Sequence, residues 1–327
     1  MIIICKKKPF KVEISKKVVH NIKNKMLSDK KIVCPNNLLE VARKKNSVNA
    51  VIVNAGKSLP MISAIDAIKE NLIIPIFVGD TKEIQKCAKE LDFDISKYEI
   101  IHEPNENNTA KVAAKLASEN KIKLIIKGHI HTDVLMKAVL KRDLNLIGKK
   151  RLSHVWHMTL EKNDKPFIIT DGALNVLPKL ETKMHILKNS VEFAKRIGIN
   201  KPKVSILSAT EEILDSMPSS KEAKELTERA SKEGVEAEVF GPMAFDNSVS
   251  EKAAQIKGIE NAVAGKTDIL LVPNVEAGNA LVKMMIYFMS ACAAGVVIGG
   301  KVPVVITSRA DDTQARLASI AAAIVAL

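Results

Sequence analysis

The segment Thr307-Ser308-Arg309-Ala310-Asp311-Asp312 lies between a β-branched run, 302–306, and a long helix-patterned stretch, 312–326. A hydroxyl and a guanidinium at the start of a helix make an anion site. The first helical turn has unused backbone N–H groups and the positive end of the dipole, and an arginine adds a two-pronged clamp. For Asp311 and Asp312, helix capping is the competing reading. Four more polar loops follow strand-like runs: Asn54-Ala55-Gly56-Lys57-Ser58, Lys127-Gly128-His129-Ile130-His131-Thr132, Thr170-Asp171-Gly172-Ala173-Leu174-Asn175 and Pro273-Asn274-Val275-Glu276-Ala277-Gly278-Asn279. In open parallel sheets, ligands collect beyond the carboxyl ends of strands. Turn chemistry explains any one of these loops. Five together point to a cleft.

Several familiar constellations are excluded. Gly56-Lys57-Ser58 lacks the glycine of a phosphate-binding P-loop, because Val51 stands five residues before Gly56. Pro60 replaces the closing glycine of a nucleophile elbow around Ser58. Gly295, Gly299 and Gly300 are misspaced for a dinucleotide turn. His129 and His131 form an HxH pair, but nothing in the sequence completes a metal set, so hydrogen bonding or substrate contact is preferred. His154 and His157 flank Trp156 on an expected strand, where alternation puts His154 and Trp156 on one face and His157 on the other. They read as strand histidines without catalytic work.

The elements that must position these residues alternate. Strands are expected at 50–53, 73–78, 99–101, 123–126, 155–160, 167–169, 204–207, 236–240, 269–272 and 302–306. Amphipathic helices are expected at 60–70, 109–120, 132–141, 180–197, 221–233, 276–291 and 312–326. That is the pattern of βαβ units and a parallel sheet. The pattern changes near Gly148, and 327 residues are long for one core, which suggests two domains. The apolar final strand and helix suit a return to the first. The uncharged run 284–300 is short for a membrane span and reads as a buried helix ending in a glycine loop, and as a surface for a homo-oligomer.

Composition narrows the partners. The net charge is +13, yet residues 1–50 hold 13 Lys/Arg against 3 Asp/Glu, while the other 277 carry 37 against 34. A basic segment can bind polyanions, but a solvated lysine-rich surface is the leading reading. One Trp and two Tyr are too few for base-stacking platforms, so no nucleic-acid partner is expected. Four scattered cysteines without a CxxC pair suggest a reducing compartment. The opening order, apolar Met1 to Ile4 and then Lys6, Lys7 and Lys8, is the reverse of a secretory signal, so the cytoplasm is expected and no membrane.

Read together, Arg151-Leu152-Ser153-His154-Val155, Thr170-Asp171-Gly172-Ala173-Leu174-Asn175, Gly241-Pro242, Asp246-Asn247, Pro273-Asn274-Val275-Glu276-Ala277-Gly278-Asn279 with Lys283, and Gly299-Gly300-Lys301-Val302-Pro303-Val304-Val305-Ile306-Thr307-Ser308-Arg309 resemble the phosphate acetyl/butyryltransferase family, nearest to its butyryltransferase members. The resemblance covers residue 50 to the end. It implies reversible transfer of an acyl group, butyryl in preference to acetyl, between coenzyme A and inorganic phosphate, with the acyl phosphate passing to a kinase. No cofactor or metal is implied, coenzyme A being a substrate.

The implied fold is α/β, a two-domain parallel or mixed sheet like that of isocitrate and isopropylmalate dehydrogenases. Residues 1–147 plus 302–327 would form the first domain and 148–301 the second, with the site in the cleft between them. Ser308 and Arg309 match the Ser-Arg pair that contacts phosphate or the reacting carbonyl. The acetyltransferases place an aspartate seven residues after that serine, where this chain has Ala315, so Asp311 and Asp312 are the candidate bases. An acetyltransferase arginine has no match near Met136, and Lys137 is the substitute cation. Gly128, His129, Thr132, Arg151, Ser153, Asn274, Glu276, Asn279 and Lys283 complete the expected substrate-binding set. The alternatives from other classes are a polyanion-binding module and a dehydrogenase on the same fold.

Overall fold

The computed structural model describes residues 27–160, 163–307 and 311–327. Ser308 and Arg309 therefore lie outside the described residues, as does most of the basic N-terminal segment. The first half alternates α1 (Asn36–Arg43), β1 (Val48–Val53), α2 (Ser58–Lys69), β2 (Ile73–Gly79), α3 (Thr81–Glu90), β3 (Glu99–His102), α4 (Glu106–Ser118), β4 (Leu124–Lys127) and α5 (Thr132–Val139). The second half runs β5 (Ser153–Leu160), β6 (Asn163–Thr170), α6 (Leu180–Arg196), β7 (Lys203–Leu207), α7 (Pro218–Lys232), β8 (Glu238–Met243), α8 (Phe245–Val249), α9 (Glu251–Ile256), β9 (Ile269–Leu271) and α10 (Val275–Met289). Then follow β10 (Cys292–Ile298), β11 (Val304–Val305) and α11 (Thr313–Ala326).

All the strands join one mixed sheet in the order β3-β2-β1-β4-β11-β10-β5-β6-β9-β7-β8. Strands β1 to β4 and β11 are mutually parallel, and β6 to β9 are mutually parallel. Between the two sets, β10 pairs antiparallel with both β11 and β5, and β5 pairs antiparallel with β6. The direction of the sheet therefore reverses across its centre. The carboxyl ends of β1 to β4 and β11 lie at one edge, and those of β6 to β9 at the other.

The run 284–300 corrects the sequence expectation. It is not one helix entering a loop: α10 stops at Met289, Ser290 takes a left-handed conformation (φ 51°), and Cys292–Ile298 is a central strand. Small residues make that strand possible. A Cβ on Gly295 would lie 2.7 Å from a ring carbon of Trp156 and 3.0 Å from one of His154, so only glycine lets the two strands meet there. The Gly295 N–H donates to the Ser319 hydroxyl of α11 at 3.0 Å. Helix α11 is buried on nearly every side, its alanines packing beneath the sheet against α1 and α2.

Alternation along β5 works as expected. Trp156 and Met158 face the core under α10, while His157 meets Phe193 of α6 on the other face. Burial pulls His157 down to about 4. It does the same to His154, with the nearby Asp171 carboxylate opposing the shift. An unfolded histidine titrates near 6.5, so between about pH 6.5 and 4 the unfolded chain gains protons that the folded chain refuses. Stability is expected to be full above that window and to fall as pH drops through it, by up to about 3 kcal/mol per histidine. Urea titrations at pH 7 and pH 5 test this, and His157→Leu is expected to flatten the acid limb.

Candidate active site

Helix α10 spans the sheet. Its 15 residues cover about 22 Å, with Asn274, Glu276 and Asn279 at its amino end and Lys283 in its carboxyl half. At its amino end, the Asn274 side chain caps the helix by accepting from the Ala277 N–H at 3.0 Å. Glu276 is exposed in the first turn, and Asn279 Nδ2 reaches the Gly172 carbonyl only at 3.5 Å. Gly172 and Gly278 touch backbone to backbone, since a Cβ on Gly278 would lie 2.7 Å from the Gly172 Cα.

The loop they hold is organised by Asp171. Its buried carboxylate accepts from the backbone N–H groups of His154 at 2.9 Å, Ala173 at 3.1 Å and Leu174 at 2.9 Å, and from Asn175 Nδ2 at 2.6 Å. Ser153 is fully buried, its hydroxyl accepting from Asn189 Nδ2 at 2.9 Å, and Asn189 also donates to the Arg151 carbonyl at 2.9 Å. Ser153 thus joins β5 to α6, while the Arg151 side of the chain is exposed.

The other edge carries the residues around the end of β11. Lys127, closing the apolar strand β4, is 4% exposed and donates to the Thr307 carbonyl at 3.4 Å, next to Ser308 in the chain. The loop after it is pinned to β1: Gly128 N–H donates to the Val53 carbonyl at 2.9 Å and His129 N–H to that of Asn54 at 3.0 Å. Asn54 Nδ2 returns a bond to the His129 carbonyl at 2.6 Å. His131 pairs through Nδ1 with Glu106 at 2.8 Å instead of joining His129. Among the described residues no group of three or more His, Cys, Asp or Glu gathers to hold a metal. Thr132 and Lys137 are exposed on α5.

Asp312 caps α11, its Oδ1 accepting from the Gln314 N–H at 2.8 Å. The Asp311 carbonyl accepts from Arg316 Nε at 3.3 Å. Burial pulls the Arg316 guanidinium below its usual range, and Asp311 opposes that shift. Both aspartates, Lys283 and Ala315 line one cavity of about 290 Å³ at the carboxyl end of α10. Its outer wall is tied to α10 by Ser28, whose N–H donates to the Tyr287 carbonyl at 2.9 Å and whose hydroxyl accepts from Ser290 at 2.7 Å. A larger depression, about 470 Å³, lies between α6 and α7 and holds none of the predicted residues. Lys127 and Arg316 were absent from the sequence-derived set. A lysine closing an otherwise apolar strand was the available signal for the first.

Residues 97–324 match the family model described as phosphate acetyl/butaryl transferase. The chain belongs to that family. It is 38% identical over 287 residues to the phosphate acetyltransferase of Rhizobium meliloti, covering 88% of this chain and 91% of that one. It is 37% identical over 282 residues to the phosphate butyryltransferase of Clostridium acetobutylicum, covering 86% and 94%. The branched-chain phosphotransacylase of Enterococcus faecalis V583 superimposes with a TM-score of 0.75 at 32% identity, over 85% of this chain and 98% of that one. The chain is accordingly a phosphate acyltransferase enzyme, and the readings as a non-catalytic module or a dehydrogenase fall away.

Within this family member, the Asp171 knot is expected to act on stability first. Asp171→Ala leaves three backbone donors and one amide without an acceptor, at a cost of about 3 kcal/mol or more. Chemical unfolding checks this, and a loss under 1 kcal/mol would contradict the assigned bonds.

Proposed function

We propose that this enzyme transfers an acyl group reversibly between coenzyme A and inorganic phosphate, taking butyryl in preference to acetyl. The observation that carries the reading is the cavity at the carboxyl end of α10, lined by Lys283 and by Asp311 and Asp312, the two aspartates that follow Ser308 and Arg309 closely in the chain. In one direction, a coenzyme A thiol loses its proton and attacks the acyl phosphate carbonyl, and phosphate leaves. In the other, a phosphate oxygen attacks the thioester carbonyl, the C–S bond breaks, and the coenzyme A thiolate leaves and takes up a proton.

Arg309 and Ser308 act as donors to phosphate and to the developing oxyanion, reinforced by the start of α11. Lys127 acts as a positioning residue by fixing the Thr307 carbonyl. We assign the base that accepts the thiol proton to Asp311, which lines the same cavity, and the capping role to Asp312. The site belongs to the cleft between the two halves. The exposed Met284, Tyr287, Phe288 and Met289 of α10 support a homo-oligomer. No helix among the described residues is long and apolar enough to cross a membrane. The cytoplasm is the compartment we assign, where the acyl phosphate is available to a kinase.

Phosphate-dependent thiol release from butyryl-CoA and acetyl-CoA tests the reading. Arg309→Ala is expected to lower kcat/KM by about 10²–10³-fold. Asp311→Asn is expected to lower kcat by 10²-fold or more. Asp312→Asn should remain active and stable, because asparagine caps a helix as well as aspartate does. The reverse pattern would move the base to Asp312. Full turnover in Arg309→Ala, or no release from either ester by folded protein, would overturn the reading. A chelator is expected to leave the rate unchanged, the chemistry needing no metal.

A further inference from the structure

We infer that Arg316 is a positioning residue for acyl transfer, acting with Lys127 to hold the two ends of the turn between β11 and α11. The inference rests on the acyl-transfer reading above and adds a residue to its machinery.

Regular structure gives out at both ends of this turn. Strand β11 is two residues long, and its ladder to β4 stops at Val305 opposite Ile126. Helix α11 begins only at Thr313. Ile306 and Thr307 on one side, and Asp311 and Asp312 on the other, lie outside both elements. Side chains from elsewhere take over the holding. Lys127, the last residue of β4, donates from Nζ to the Thr307 carbonyl at 3.4 Å. Arg316 donates from Nε to the Asp311 carbonyl at 3.3 Å. In the chain, Ser308 and Arg309 come between those two carbonyls.

Stability alone gives no reason for a charge at position 316. Arg316 is the fourth residue of α11, at the end where the helix dipole is positive and a cation is disfavoured. It is 5% exposed, and its neighbours Ala315 and Leu317 are equally buried. A charge withdrawn from water in this way is often less favourable than a well-packed apolar side chain of similar volume. Lys127 stands in the same position, 4% exposed after the apolar run Leu124-Ile125-Ile126. What each cation supplies, and methionine would not, is a donor directed at one carbonyl of the turn. The carbonyl that Arg316 takes belongs to Asp311, the assigned base, so the arginine bears on where that carboxylate stands. A misplacement of about 1 Å is enough to lower a rate by about 10²-fold.

The test compares Arg316→Met, Lys127→Met, the two combined, and Arg316→Lys, by phosphate-dependent turnover of butyryl-CoA and by thermal melts. Arg316→Met is expected to melt no lower than the wild type and to lose about 10²-fold in kcat. Arg316→Lys keeps a charged donor and is expected to recover kcat several-fold over Arg316→Met. Because both cations hold one turn, the double variant is expected to lose little more than the worse single variant, whereas independent sites would multiply their losses. A melting temperature that falls in step with kcat, or an Arg316→Met protein that does not fold, would make the arginine a structural ion and overturn the inference. Full turnover in folded Arg316→Met, multiplied losses in the double variant, or a lysine no better than methionine would overturn it too. Wild-type protein inert with acyl-CoA and phosphate would instead overturn the transfer reading, a result distinct from an active enzyme indifferent to position 316.

Discussion

The molecule depends on a strand of small residues. Among the described residues, Cys292–Ile298 is the strand that joins β11 and β4 through the sheet to β5 and β6, because it hydrogen-bonds to β11 on one side and β5 on the other. It has to accept Trp156 and His154 against one face and α11 against the opposite one. Gly295 satisfies both demands, giving room to the rings and its N–H to Ser319. A larger residue at Gly295 would separate the strands or displace Trp156, and either change would propagate to both halves of the sheet. The same strand ties the C-terminal helix to the centre, which explains why an alanine-rich sequence with little intrinsic amphipathicity is nevertheless buried along its whole length.

That strand also governs the site. Because β10 and β5 run against their neighbours, loops that all follow strand ends do not all meet. The residues around Asp171 and Asn274 serve one edge, and those around Lys127, Thr307 and Asp312 serve the other. Helix α10 is the link, beginning against Gly172 and ending beside the cavity that contains Lys283. Ala291 and Ala293 line that cavity while leading into or belonging to β10, so the small residues that admit the strand to the sheet also leave the space at its beginning.

Much of the fold was legible. Ten of the eleven described strands and seven of the eleven described helices are legible by alternation or amphipathic spacing, with ends displaced by a few residues. Strand β10 did not, because Met284 to Gly300 carries no charge, and an apolar run has no period to show where a helix yields to a strand. The left-handed Ser290 that separates them is not a glycine and gave no turn signal. Helix α3 carries a start signal in Asp80 and Glu83 that lies outside the expected set, α1 has no capping side chain to mark it, and α8 and α9 are too short to show a pattern. They are held by long-range bonds such as Ser205 to Ser248 at 2.6 Å. Of the site, the residue types were visible and their grouping was not.

The charge balance acquires a physical meaning from this arrangement. The lysines and arginines of the second half are largely matched on the surface, as Arg229 is with Glu181 at 2.9 Å and Glu233 at 2.8 Å, and Lys150 with Glu192 at 2.7 Å. Such exposed pairs contribute about 0–1 kcal/mol each. A cation in the interior is another matter. Lys127 and Arg316 are each at most 5% exposed, both packed close to the end of β11. Carrying a charge there costs free energy unless polar groups compensate, and the backbone carbonyls of Thr307 and Asp311 supply part of that compensation. Two buried cations and two aspartates converging on one strand end form a polarised interior, in which an arriving anion would interact more strongly than with any number of solvated lysines. The +13 is therefore a poor guide to function, and the few charges withheld from water are the informative ones.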